Sequence, residues 1–289
     1  MKNYKIVLTF FLLWLTIQFD SEAENVFAYV SILTLGLLHG ANDIKLLTQK
    51  ETTQKTSSYK ILAGYVAFVL CVGVLFYILP VLALTVFVVI SGFHFGEEHL
   101  HDTYKKESAL LPYCYTSYGM LILFLIFYFN TAATSSIIYD ITSYTLTNTF
   151  FLVGVGITGV STLIFSLLLF KHKKKEVSYL EEFVYILVFI VLFKMANLLW
   201  SFAIYFVIWH AIPSLSGQIR FLYGNTSMTS VVKYLKSSFL YWLLSIAGVF
   251  SLYFYLQDDL YLFNAIFFAF LATITFPHVW VITGMKSKK

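Results

Sequence analysis

The sequence predicts an all-α protein, a polytopic bundle of transmembrane helices, and three observations carry that prediction. Hydrophobic residues make up 59% of the chain and charged residues only 12%, at a mean hydropathy of +0.80, far from the values of water-soluble domains. Apolar runs of the roughly 20 residues needed to cross a hydrocarbon core of about 30 Å recur from end to end. The polar breaks between them are short, so 289 residues leave room for about eight to ten helices and for no soluble domain beside them. The expectation is one integral membrane domain over 1–289, with 1–20 alternatively a peripheral first helix.

Taken in order, the runs place spans at 5–20, 26–45, 61–79, 81–98, 109–129, 148–170, 182–197, 198–216, 237–256 and 260–283. The first follows Met1, Lys2 and Lys5 and has the outline of a signal peptide. The DSEAEN segment after it lacks a small-x-small cleavage site, so it reads as a retained helix. The run 182–216 would form a helix about 52 Å long, too long for a bilayer, and a break is expected near Met195–Asn197.

The basic residues test this arrangement, because they collect on the cytoplasmic side. Ten spans with both termini cytoplasmic put inside Lys2 and Lys5, then Lys45, Lys50, Lys55 and Lys60, then Lys105 and Lys106. Lys171, Lys173, Lys174 and Lys175 follow, then Arg220, Lys233 and Lys236, and finally Lys286, Lys288 and Lys289. That is 18 of the 19 basic residues, Lys194 alone being left within a span. The outer loops carry Asp20, Glu22, Glu24, Asp140, Asp258 and Asp259. Topology thus accounts for the net charge of +4, and no nucleic-acid partner is implied. Cys71 and Cys114 lie in apolar runs without CxxC spacing and read as packing residues.

Four histidines fall inside spans that run from outside to inside: His39, His94, His210 and His278. The first three lie about 13 residues from their outer ends and His278 about 18, which sets all four in the cytoplasmic half of the membrane. A single intramembrane histidine can simply hydrogen-bond a neighbouring helix. Four in one layer point to a metal site, because ionisable groups in a membrane are costly and mark function, and neutral imidazole suits Fe, Cu and Zn.

Residues four apart share a helical face, which pairs His39 with Asp43, His94 with Glu98 and His210 with Ser214. These partners are candidates to hold the second ring nitrogen of a ligand. Asp43, Glu97 and Glu98 could instead be solvated at the membrane surface. Pro213 and Pro277 interrupt the hydrogen-bond ladder beside His210 and His278, as a shaped cavity would require. His172, in KHKKK, reads as solvated; His99 and His101, in EEHLHD, read as interfacial, with His99 a conceivable alternative ligand. The 30 Phe and 21 Tyr serve lipid-facing belts or line an apolar tunnel, and composition does not choose between these.

The set HGAND, GFHFGEEHL, WHAIPS and FPHVWV resembles the Brp/Blh family of bacterial and archaeal β-carotene 15,15′-dioxygenases, from about residue 30 to the end. The HGAxD and HFG elements are the most specific parts. The resemblance implies a multi-pass protein of the bacterial inner membrane that cleaves the central double bond of β-carotene, or a related carotenoid, with O2. The implied product is retinal, with a rhodopsin as its potential recipient, and the implied cofactor is Fe(2+) held by histidines. Carried onto this chain, the ligands are His39, His94 and His210, with Asp43 beside the first. The chain departs from the family pattern twice. Ser214 stands where a further histidine is expected, and His99 where an aspartate ends the HFGxxD element. The fourth ligand is then His278, as the depth argument favours, or His99; otherwise the centre has three histidines, or the activity is altered.

Other readings are weaker. A di-iron desaturase needs about eight histidines, and the chain has 7. A bis-histidine haem protein would be expected to set its haems at two depths. A transporter with a histidine-lined path would be expected to show inverted repeats of broken helices, and none is evident.

Overall fold

The computed structural model describes residues 4–50, 58–105, 108–174 and 178–286. Lys2, Lys55, Lys106, Lys175, Lys288 and Lys289, which the orientation argument uses, lie outside the described residues. The protein is all-α, with no strand among the described residues. Seven of the described helices are long and apolar enough to cross a membrane.

The helices are α1 (Tyr4–Thr16), α2 (Ser21–Ser31), α3 (Leu37–Gly40), α4 (Asp43–Lys50), α5 (Ser58–Ile78), α6 (Pro80–Leu100) and α7 (Leu111–Phe129). They continue with α8 (Thr131–Thr142), α9 (Asn148–Leu168), α10 (Tyr179–Met195), α11 (Leu198–Ile204), α12 (Ile212–Tyr223), α13 (Met228–Tyr255) and α14 (Leu260–Lys286). Two π-helical segments interrupt them, Ile32–Gly36 and Tyr205–Ala211.

Most boundaries agree with the hydropathy reading, and the exceptions have physical reasons. The break near Asn197 is present: α10 stops at Met195, Ala196 is extended, and the Asn197 side chain caps α11 by accepting from Trp200 N–H at 2.9 Å. Helix α1 has 13 residues, about 20 Å of rise, and falls short of a bilayer core. The helix expected at 26–45 instead starts at Ser21, outside the expected span, runs through the first π segment to Gly40 and turns at Ala41–Asn42 before α4. The outer segment expected as a loop around 130–147 folds into α8, which ends at Ser143 in a left-handed conformation (φ 61°). Helix α13 starts nine residues before the expected 237, capped by Ser227, because Lys233 and Lys236 extend it beyond the apolar core.

The chain forms two compact units. Unit 1 comprises Met1–Ile32, Val88–Ser136 and Tyr144–His210. Its centre is α7, which buries Cys114, Tyr118, Ile122 and Ile126 and packs on α9 and α10. Tryptophans tie α1 in: the indole N–H of Trp200 donates to Thr16 Oγ1 at 2.9 Å, and that of Trp209 to Thr9 Oγ1 at 3.0 Å. Glu24 is buried against α11 and accepts the Asn197 backbone N–H at 3.3 Å; burial pushes its carboxyl above the usual carboxylate range, and the hydrogen bond opposes that shift. The loops after α6 and α9 join through a bridge between Tyr104 and Lys173. Both are loops that the basic residues assign to the cytoplasmic side.

Unit 2 comprises Leu33–Phe87, Ile137–Ser143 and Ala211–Lys289. One core gathers Leu46, Ile219, Leu222, Tyr234, Ile282 and Met285 from α4, α12, α13 and α14. A second packs Val72 and Phe76 of α5 and Ala83 of α6 against Ala272 of α14. Helix α14 runs on through Pro277. Both cysteines are free, Cys114 buried and Cys71 exposed.

Candidate metal centre

Each compact unit holds two of the four intramembrane histidines, and in each the two imidazoles meet edge to face. In unit 1 the rings of His94 and His210 have centroids 4.6 Å apart and planes at 75°. In unit 2 those of His39 and His278 are also 4.6 Å apart, at 84°. All four residues are buried, none more than 6% exposed. Imidazoles distant in sequence are thus set ring to ring inside apolar helices.

His94 is seated by a helix contact that only glycine permits. Gly92 and Gly96 flank it on α6, and Gly119 faces them from α7. A Cβ on Gly96 would stand 1.9 Å from the Tyr115 carbonyl oxygen, and one on Gly119 1.8 Å from that of Gly92. This small-xxx-small contact brings the two backbones together and fixes the turn that carries His94. The Gly92-x-x-x-Gly96 spacing is legible in the sequence.

His210 sits in the second π segment, a rare geometry enriched at functional sites. Pro213 follows immediately; lacking an N–H, it fits where the hydrogen-bond register changes. Phe206 stacks on the His210 ring at 5.4 Å and 13°, and Phe95 meets it at 4.8 Å and 65°. Phe202 continues the stack beyond Phe206 at 5.2 Å and 11°. The segment from Phe202 to His210 therefore carries a stack of three aromatic rings.

His99 lies among Tyr118, Tyr185, Phe189 and Trp209, its Nε2 3.3 Å from a Glu182 carboxylate oxygen. That nitrogen, a conceivable metal ligand from the sequence, is turned to a carboxylate. Glu98 lies within electrostatic reach of Lys5, whose ammonium stands 5.3 Å over the Trp209 ring. Glu97 is buried, 6% exposed, which corrects the reading of a solvated carboxylate. His101 pairs with the exposed Asp102 at 3.2 Å, as an interfacial residue would.

In unit 2 the predicted pairing of His39 with Asp43 takes a different form. It assumed one continuous helix, whereas the chain turns at Ala41–Asn42 and Asp43 opens α4. The Asp43 carboxylate receives Nδ1–H of His278, at 2.9 Å to Oδ1 and 3.1 Å to Oδ2, and the Tyr65 hydroxyl at 3.0 Å. His39 instead turns its Nδ1 to the Gly36 carbonyl. For both histidines the Nδ1 contact fixes the orientation of the ring, as an acceptor behind an imidazole does. Ser214 accepts from Gln218 Nε2 at 3.2 Å. Tyr65 and Gln218 are neighbours that the sequence reading missed, since neither belongs to a histidine motif.

The donor chemistry fits a divalent transition metal: neutral nitrogen ligands, deep burial, and a carboxylate behind one of them. A family model described as Beta-carotene 15,15'-dioxygenase matches residues 30–286. Neither the curated proteins nor the solved structures yield a match.

Proposed function

The chain belongs to the beta-carotene 15,15'-dioxygenase family, and from that premise we propose that it splits the central 15,15′ double bond of β-carotene with O2 into two molecules of retinal at a histidine-held Fe(2+). By the resemblance of its motifs, His39, His94 and His210 would hold such an ion, with His278 as the fourth imidazole. The single observation that carries the reading is the burial of four histidines in ring-to-ring pairs, three of them on helices apolar enough to lie in lipid.

The overall reaction balances without a reductant: one C=C bond and the O–O bond break, and each half of the polyene gains one oxygen as an aldehyde. Bound ferrous iron supplies the activation of O2. The residues of the chain bind and orient. Phe206 and Phe202 stack in line behind the His210 ring and give a polyene an apolar aromatic stripe to lie along. Central cleavage requires the 15,15′ bond to be held within about an ångström of one position, so this aromatic stripe sets the regiochemistry. The substrate enters from the bilayer, both chain termini face the cytoplasm, and a rhodopsin is the natural recipient of the retinal.

The test is metal dependence in purified protein. Anaerobic loading is expected to give one iron per chain, chelation to abolish cleavage, and Fe(2+) to restore it. Labelling with 18O2 is expected to place one heavy oxygen in each retinal. Full turnover by metal-free protein would sink the proposal.

A further inference from the structure

His39 lies in the last turn of the helical run from Ser21 to Gly40. α3 has four residues and stops at the Ala41–Asn42 turn. The last carbonyls of a helix lack intrahelical donors, and at membrane depth they must find them within the protein. The His39 carbonyl finds Gln218, whose Nε2–H donates to it at 2.7 Å. The second Nε2–H of Gln218 goes to Ser214 Oγ at 3.2 Å, and its Oε1 accepts the Tyr234 hydroxyl at 2.7 Å. The amide therefore has both donors and its acceptor engaged, and one orientation satisfies all three. These side chains are sealed from solvent, with Gln218 at 0% exposure, Tyr234 at 1% and Ser214 at 2%.

The same helix that orients Gln218 also holds the far side of the turn. Asn42 donates from Nδ2 to the Tyr234 carbonyl at 3.2 Å and accepts from Ser237 at 2.8 Å. Residues 39 and 42, on either flank of the break, are thus pinned to α12 and α13. The helical run ends one residue after His39, where a helix frays unless its end is held, so the position of the His39 imidazole depends on these contacts.

We propose that Gln218 is a positioning residue for His39: oriented by Tyr234 and anchored on Ser214, it clamps the His39 backbone so that the imidazole is presented to the metal in one place. Ser214 belongs to this clamp and not to the ligand set. The inference rests on the metal centre proposed above.

The experiment titrates metal-free protein with Co(2+), read by its visible absorption bands, alongside thermal unfolding of the same metal-free samples. Gln218→Met keeps length and burial but removes both donors; Tyr234→Phe removes only the hydroxyl that orients the amide. The expected result is a 10–100-fold loss of Co(2+) affinity in Gln218→Met, the usual scale for support residues behind a ligand. Tyr234→Phe loses less, and both metal-free variants melt close to the parent. Equal affinity in parent and Gln218→Met overturns the clamp and leaves the metal centre standing. A parent chain that binds no Co(2+) overturns the metal centre, and the clamp with it. If Gln218→Met does not fold, Tyr234→Phe decides, and unchanged affinity there overturns the clamp.

Discussion

Nδ1 of His278 lies 2.9 Å from Oδ1 of Asp43, although 235 positions separate them in the chain. A carboxylate behind an imidazole fixes its tautomer and raises its basicity as a ligand. Asp43→Asn, which keeps the shape and loses the charge, is therefore expected to lower iron affinity and turnover about 10–100-fold. Tyr65→Phe removes only the hydroxyl that donates to Asp43 at 3.0 Å and is expected to act in the same direction, more weakly. Metal analysis of purified variants, together with cleavage rates, checks both.

The contact between α6 and α7 predicts a stability effect. Gly96→Ala and Gly119→Ala each drive a methyl group into backbone less than 2 Å away. Overpacking of this kind costs about 1–3 kcal/mol or more, and no flexible side chain can give way. Gly156, whose Cβ would meet nothing within 4 Å, is the control. Gly156→Ala is expected to be neutral or to stabilise the helix by several tenths of a kcal/mol. Thermal unfolding in detergent separates the two classes.

Glu24 predicts a dependence on pH. Burial raises its carboxyl above the ordinary 4.5, so the folded state holds the proton more tightly than the unfolded chain does. The associated stability is fully present below pH 4.5 and is lost as pH rises through the raised folded value. Glu24→Gln keeps an acceptor for the Asn197 N–H and removes this dependence. It is expected to melt higher than the parent at pH 7, with the gap closing toward pH 4; a gap that widens at low pH would refute the assignment.

The stack of Phe206 on His210 predicts an effect on product identity. Phe206→Leu keeps an apolar side chain and removes the flat face. It is expected to raise KM for β-carotene and to release some off-centre cleavage products, while iron content stays at the parental level. Chromatography of the products, with metal analysis, tests this.

Helix existence was legible because spanning a bilayer demands long apolar runs, and the break at Asn197 followed from length alone. The turn at Ala41–Asn42 was not: the polar residues of HGAND suit either the end of one helix or the join of two, and Tyr234, which holds that turn, lies far along the chain. The histidines stood out because imidazoles are rare in apolar runs. Their partners did not, since spacing by four assumes an unbroken helix, and the turn hands Asp43 to His278. Gln218 carries no motif, so only the folded chain reveals what it touches.

The most direct measurement expresses the chain, and its His39→Ala, His94→Ala and His210→Ala variants, in cells that accumulate β-carotene, with extracted pigments quantified by chromatography. The account predicts that the parent depletes β-carotene and yields about two retinals per molecule lost, while each variant inserts in the membrane and leaves the pigment untouched. Unchanged β-carotene in cells holding the folded parent, or retinal formed at parental rates by any of the three variants, would contradict it.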